Sequence, residues 1–114
     1  MADATIYHNP RCSKSRQSLE LLREKGVEPN VVLYLDDPPS LATLATLLKQ
    51  LSLPAADLIR DKEFEALGIE APRDEDGWLK LLAAHPAIMQ RPIIVVGDKA
   101  VLGRPPENVL KLFR

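Results

Sequence analysis

The sequence predicts an α/β fold: a four-stranded mixed sheet, with a helical insertion between an N-terminal βαβ unit and a C-terminal ββα unit. Three observations lead there. Four short runs, residues 5–8, 31–35, 92–96 and 100–102, have strand length and β-prone or apolar composition. A stretch of helical period separates the first two. The middle of the chain carries apolar residues at helical spacing and no run that reads as a strand.

Thr5-Ile6-Tyr7-His8 is the first predicted strand, punctuated by Pro10. A helix is predicted from about Ser13, with Leu19, Leu21 and Leu22 as its apolar face, Lys25 in the last turn and Gly26 as the C-terminal stop. Val31-Val32-Leu33-Tyr34-Leu35 is continuously apolar, the signature of a strand buried on both faces and therefore parallel. Strand, helix and strand make a right-handed βαβ unit.

Asp36-Asp37-Pro38-Pro39 breaks the chain. Ser40 is a plausible N-cap for a helix whose Leu41, Leu44, Leu48 and Leu51 repeat at helical spacing. From Pro54 to about His85 the sequence reads as short helices separated by Gly68, Pro72 and Gly77, with Trp78, Leu81 and Leu82 on the last apolar face. Pro92-Ile93-Ile94-Val95-Val96 is the third strand, Gly97-Asp98-Lys99 a tight turn and Ala100-Val101-Leu102 the partner strand. Pro105-Pro106-Glu107 opens a final helix carrying Val109, Leu112 and Phe113, since proline is tolerated in a first turn. The order fits a thioredoxin-like sheet.

At 114 residues the chain is expected to form one domain over 1–114 with one core. A net charge of −1 argues against general affinity for nucleic acid or an anionic membrane, although a local basic cluster would still hold a small anion. No apolar run approaches the roughly 20 residues of a membrane span. Met1-Ala2-Asp3-Ala4 lacks signal-peptide character, and one cysteine cannot close an internal disulfide. A cytoplasmic location is the expectation. Any redox cycle must borrow its second thiol from another molecule. With few exposed apolar signals, a monomer is expected.

That one cysteine, Cys12, follows a strand and a proline turn and precedes a helix, among Arg11, Ser13, Lys14, Ser15 and Arg16. A buried packing cysteine does not keep such neighbours. The positive end of a helix dipole and nearby cations both favour the thiolate. His8, four residues earlier, would help if protonated or donating a hydrogen bond. It also reads as a polar strand end. Ser15, one turn later, either bonds the sulfur or is an ordinary first-turn serine. Ser18 stands where a cysteine phosphatase loop needs arginine, and Ser15 where a CxxC pair needs its second thiol, so both motifs are absent.

Arg91 and Arg104 each precede a proline and flank the predicted hairpin, whose antiparallel pairing would bring them together. Guanidinium groups bind oxyanions bidentately and stay charged. Arg60 follows Leu58-Ile59, but its own continuation, Asp61-Lys62-Glu63, looks like a solvated face. The Arg91-Pro92 bond is a candidate cis peptide, which the sequence leaves open. His85, before Pro86, reads as structural. There is no His/Cys/Asp/Glu spacing suited to a metal and no glycine-rich phosphate loop.

In this order the residues resemble the glutaredoxin-coupled arsenate reductase family over essentially the whole chain. The matching segments are Ile6-Tyr7-His8-Asn9-Pro10-Arg11-Cys12 with Ser15-Arg16, Leu33-Tyr34-Leu35 with Pro38-Pro39-Ser40, Leu58-Ile59-Arg60, Leu67-Gly68, His85-Pro86, Arg91-Pro92-Ile93 and Gly103-Arg104-Pro105. The resemblance implies a thioredoxin-like fold and reduction of arsenate to arsenite. It implies Cys12 as nucleophile, His8 and Ser15 keeping it ionised, and Arg60, Arg91 and Arg104 binding the oxyanion. It also implies glutathione as co-substrate and glutaredoxin as partner, with no tightly bound cofactor and no metal. One departure stands out: arsenic-resistance members have Gly-Thr where this chain has Ser13-Lys14. Lys14 adds a cation suited to anion binding and leaves the physiological substrate open. Two other readings share the fold: an Spx-type regulator docking on RNA polymerase, and a thiol enzyme acting on another oxyanion or a glutathione adduct.

Overall fold

The computed structural model describes residues 3–113. Met1 and Ala2, half of the terminal segment read above as lacking signal-peptide character, lie outside them. Two compact units are present. One is made by the chain up to Asp37 and again from Arg91 onward, the other by Pro38–Gln90.

The first unit holds the sheet. Strands β1 (Ala4–His8), β2 (Asn30–Leu33), β3 (Ile93–Val96) and β4 (Lys99–Leu102) lie in the order β2-β1-β3-β4. β1 pairs in parallel with β2 and antiparallel with β3, and β3 pairs antiparallel with β4. The mixed sheet and its place in the chain are as expected. β1 alternates buried and half-buried positions, and helix α1 (Ser13–Glu24) with a 3₁₀ segment at Pro106–Phe113 packs near it. Ala4, Ile6, Leu22, Ile94, Val96 and Val109 form one buried cluster, edged by Leu19, Val27, Val101, Leu112 and Phe113.

Four expectations for this unit need correction. β2 is parallel but is an edge strand, so Val31 and Leu33 are exposed on one face; the strand also ends at Leu33, where Tyr34 begins a turn. A continuous apolar run therefore did not mean burial on both faces. The buried stripe of α1 is Ser15, Ser18 and Leu22, not a purely leucine face. The hairpin turn is two residues, Gly97 and Asp98, because Lys99 already pairs with Val96. Gly97, with φ 62°, supplies the positive φ that a II′-type turn needs at its first position. The last segment is 3₁₀ throughout rather than α-helical.

The second unit contains α2 (Leu41–Leu51), a 3₁₀ turn at Ala55–Leu58, α3 (Asp61–Ala66), α4 (Glu75–Ala84) and a second 3₁₀ turn at Pro86–Ile88. Ser40 caps α2 as expected, its hydroxyl accepting the Thr43 N–H at 3.1 Å. Gly77 does not separate helices: it lies in the first turn of α4, where the Asp74 carboxylate accepts its N–H at 2.8 Å. Leu44, Leu47, Leu48, Leu58, Leu82, Ile88 and Met89 are buried, and Phe64 and Trp78 pack with ring centres 5.2 Å apart. Extended pairing is limited to one antiparallel bridge between Ile59 and Met89, so the reading of this region as helical stands. Among the described residues no helix is long and apolar enough to cross a membrane.

Candidate active site

The first unit brings Cys12, His8, Ser15, Arg91 and Arg104 into one neighbourhood, and the local sequence explains how. After β1, Asn9-Pro10-Arg11-Cys12 makes a β-turn: the Asn9 carbonyl accepts the Cys12 N–H at 3.0 Å, and the Asn9 side-chain oxygen accepts the Arg11 N–H at 3.0 Å. Asparagine at the first turn position and proline at the second are the residues this geometry favours. Cys12 is then the N-cap of α1, with extended backbone, and its carbonyl accepts the Arg16 N–H at 3.0 Å. The Arg16 guanidinium holds the turn from outside, donating to the Pro10 carbonyl at 2.8 Å.

A thiol at an N-cap faces the first free N–H groups of its helix. No conventional capping hydrogen bond closes here. The effect on the sulfur is nonetheless clear. Burial pushes the Cys12 thiol pKa up, but the backbone N–H of Ser15, the Arg91 guanidinium and the backbone N–H of Lys14 outweigh it, and the net shift is downward from the ordinary value. Lys14 thus enters the site through its amide.

His8 and Ser15 meet through their side chains, while Ser15 acts on the sulfur through its backbone N–H. His8 Nδ1 lies 2.6 Å from the Ser15 hydroxyl oxygen, which also accepts the Asn9 N–H at 3.0 Å. Both residues are buried. Burial, then the charges of Arg23 and Arg16, push the His8 pKa down, so the neutral ring is favoured and not the imidazolium considered above. The hydrogen-bond partner of His8 is Ser15, and the pair braces the turn that carries the thiol.

The hairpin delivers the two arginines. Ile93 pairs with Leu102, and one step outward Gly103 N–H donates to the Pro92 carbonyl at 2.9 Å, so Arg91 and Arg104 emerge side by side. Both following prolines are joined by cis peptide bonds. Arg104 Nη1 donates to the Arg91 carbonyl at 3.0 Å and lies 3.9 Å from Cys12 Sγ. Arg91 Nε is buried and, among the described residues, has no hydrogen-bond partner. A buried guanidinium N–H left open beside a polarised thiol is suited to an oxygen acceptor from a ligand. Arg60 belongs to the second unit. There its N–H donates to the Ile88 carbonyl at 2.7 Å and its Nε pairs with Glu63 at 2.6 Å.

The motif around Cys12 contains Asn9 and Arg16 without showing their roles as turn builder and turn clamp. Turn preferences contained that signal for Asn9. Nothing local marked Arg16. Among the described residues no group of three or more His, Cys, Asp or Glu could hold a metal ion.

The arrangement is that of a thioredoxin-like thiol protein whose nucleophile candidate faces fixed cations. Residues 7–112 match the model of the ArsC family, and the chain belongs to that family. It is 49% identical to the uncharacterized protein YfgD of Escherichia coli (strain K12), over 94% of this chain and 93% of that one. It is 43% identical to an arsenate reductase of Neisseria meningitidis serogroup A, over 96% and 97%. Among solved structures, an arsenate reductase from Vibrio cholerae superposes with a TM-score of 0.86 at 38% identity, covering 96% of this chain and 97% of that one. The family resemblance and the fold are as expected from the sequence.

Proposed function

We propose that this protein reduces arsenate to arsenite with Cys12 as its single protein nucleophile and with glutathione and glutaredoxin as external reductants. The observation that carries the reading is the convergence on Cys12 of Arg104, 3.9 Å from the sulfur, and Arg91, which lowers the thiol pKa and keeps a buried Nε free of partners among the described residues.

Arsenate is an anion and so is the thiolate. Fixed guanidiniums offset their repulsion and stabilise the charge that collects on the arsenic oxygens during attack. Cys12 sulfur bonds to As(V) and an arsenic-bound oxygen leaves, protonated, as water. Glutathione then attacks the thiol-bound arsenic, and a second arsenic-bound oxygen leaves as water. The glutaredoxin thiolate attacks the glutathione sulfur, so the mixed disulfide forms, the bond from arsenic to glutathione breaks, and its electron pair reduces arsenic to As(III). Water then displaces the Cys12 sulfur from arsenic, which releases arsenite and restores the thiol. The chain supplies one thiol, Cys12, so the disulfide must form between the two outside partners. We assign His8 and Ser15 to support of the nucleophile's turn, and Arg91 and Arg104, with Lys14, to the oxyanion. A monomer in the cytoplasm, where glutathione is reduced, suits this chemistry.

The test is arsenate-dependent turnover by purified protein with glutathione and glutaredoxin, beside Cys12→Ser. Turnover lost in the variant supports the assignment. A folded wild-type protein inert toward arsenate, or a variant of near-normal activity, would overturn it.

A further inference from the structure

Arg104 reaches Cys12 from a short segment that has no secondary structure of its own, between the end of β4 and the 3₁₀ turn. Two features hold that segment. Gly103 is buried and pressed between α1 and β3: a Cβ there would run into the Ser18 hydroxyl, Pro92 and Ile94. On the other side, the Asn108 side-chain amide donates to the Leu102 carbonyl at 3.1 Å and to the Arg104 carbonyl at 3.2 Å. An amide nitrogen carries two hydrogens, and here both are used on the carbonyls that flank Gly103. Asn108 is itself tied to the turn, its N–H donating to the Pro105 carbonyl at 3.0 Å.

We propose that Asn108 is a positioning residue, whose amide sets the backbone of Arg104 so that its guanidinium stands between the Arg91 carbonyl and Cys12. This rests on the reading of Arg104 as an oxyanion ligand and Cys12 as the nucleophile. Asn108 touches neither sulfur nor substrate; it acts by spanning the carbonyls of Leu102 and Arg104. Without that span both carbonyls lose their donor, and the arginine that links Arg91 to the thiol loses its fixed base. The effect belongs to anion binding and to thiol reactivity, not to the core.

The experiment compares Asn108→Ala and Asn108→Asp with Val109→Ala. Asp keeps the size of the side chain but has no N–H to donate at neutral pH. Val109 is fully buried on the neighbouring position and contributes packing alone. Each variant is measured for arsenate KM and kcat, for the pH dependence of Cys12 alkylation by iodoacetamide, and for thermal unfolding. Both Asn108 variants should raise KM roughly tenfold with a smaller change in kcat, and should move the alkylation midpoint to higher pH. Val109→Ala should lower the unfolding temperature and leave KM and the midpoint where they were. The proposal is overturned if the Asn108 variants lose stability yet retain wild-type KM and alkylation, or if Asn108→Asp behaves as wild type. Without any turnover, the alkylation arm reads the Arg91 guanidinium that holds the thiol pKa down, and Arg104 bears on that residue through its bond to the Arg91 carbonyl. A shifted midpoint in a protein that does not reduce arsenate would therefore uphold the role of Asn108 while removing arsenate as the substrate.

Discussion

Ser15 accepts the Asn9 N–H and sits 2.6 Å from His8 Nδ1, so its hydroxyl is engaged with the histidine at the end of β1. The consequence is a division of labour. His8 and Ser15 brace the Asn9–Cys12 turn from beneath. The charge that favours the thiolate comes from the first N–H groups of α1 and from Arg91. A histidine kept neutral by burial and by two arginines is poorly suited to stabilise an anion by charge, and well suited to hold a hydroxyl in place.

That division predicts how thiol reactivity responds to mutation. Iodoacetamide alkylation followed against pH should give a midpoint for Cys12 below the ordinary thiol value of 9.0. Arg91→Ala removes both a hydrogen bond and a charge from the sulfur and should shift the midpoint upward. His8→Gln should shift it less, because His8 does not act on the sulfur by charge. A larger upward shift in His8→Gln than in Arg91→Ala would contradict this electrostatic picture.

Stability should carry the His8 signature on the acid side. The folded-state pKa of His8 lies below its ordinary 6.5. The unfolded chain therefore takes up the proton first as pH falls, and folding stability declines from about pH 6.5 down through the folded-state value. Histidine ring NMR checks the direction: the His8 titration midpoint should be below 6.5. Arg23→Ala should raise it by removing a nearby cation. An unmoved midpoint would discount the charge of Arg23.

Much of this molecule is legible in residue pattern, and the parts that are not share a cause. The strand and helix order follows from apolar periodicity and from Gly26, Ser40 and the Gly97 turn, all local signals. Cys12 is betrayed by its polar neighbours, and Arg91 with Arg104 by their places at the two ends of one hairpin. What the pattern misses is set by tertiary position. Val31 and Leu33 look like core until β2 proves to be the sheet edge. Ser15 and Ser18 look like surface until α1 is laid down with them inward. Ser15 is buried because His8 and Asn9 satisfy its hydroxyl, and Ser18 because its own hydroxyl donates to the Lys14 carbonyl at 2.9 Å. The 3₁₀ character of Pro106–Phe113 was equally hidden, since 3.0 and 3.6 residue periods differ little over eight residues.

In the second unit, Ser52 is the described non-glycine residue with positive φ, at 58°, where it ends α2. Its N–H bonds the Lys49 carbonyl and that of Leu53 the Leu48 carbonyl, the closing pattern that favours glycine. Ser52 is exposed, so its side chain has little packing to lose. Ser52→Gly should therefore raise stability by about 0.5–1 kcal/mol, the relief of left-handed strain less the extra freedom of glycine in the unfolded chain. Ser52→Val should lower it. Chemical denaturation at fixed pH measures both, and a destabilised glycine variant would contradict the strain argument.

Two glycines of the first unit separate cost in space from cost in backbone. Gly26 has φ 78° and open surroundings: a Cβ there would meet nothing within 4 Å. Gly26→Ala should cost about 1 kcal/mol through conformation alone, with no effect on Cys12. Gly103 has no positive φ, but its missing side chain is what allows Ser18 of α1 to approach the end of the hairpin. An added methyl presses on the Ser18 hydroxyl, Pro92 Cγ at 2.7 Å and Ile94 Cδ1 at 3.1 Å, and rigid ring and core atoms cannot give way cheaply. Overpacking of this kind costs about 1–3 kcal/mol. It also pushes α1, and Cys12 at its start, away from Arg91 and Arg104. Gly103→Ala should thus lower stability and move the Cys12 alkylation midpoint to higher pH, whereas Gly26→Ala should do only the first. Equal thiol profiles in the two variants would mean that close packing at Gly103 does not govern the distance between thiolate and arginines.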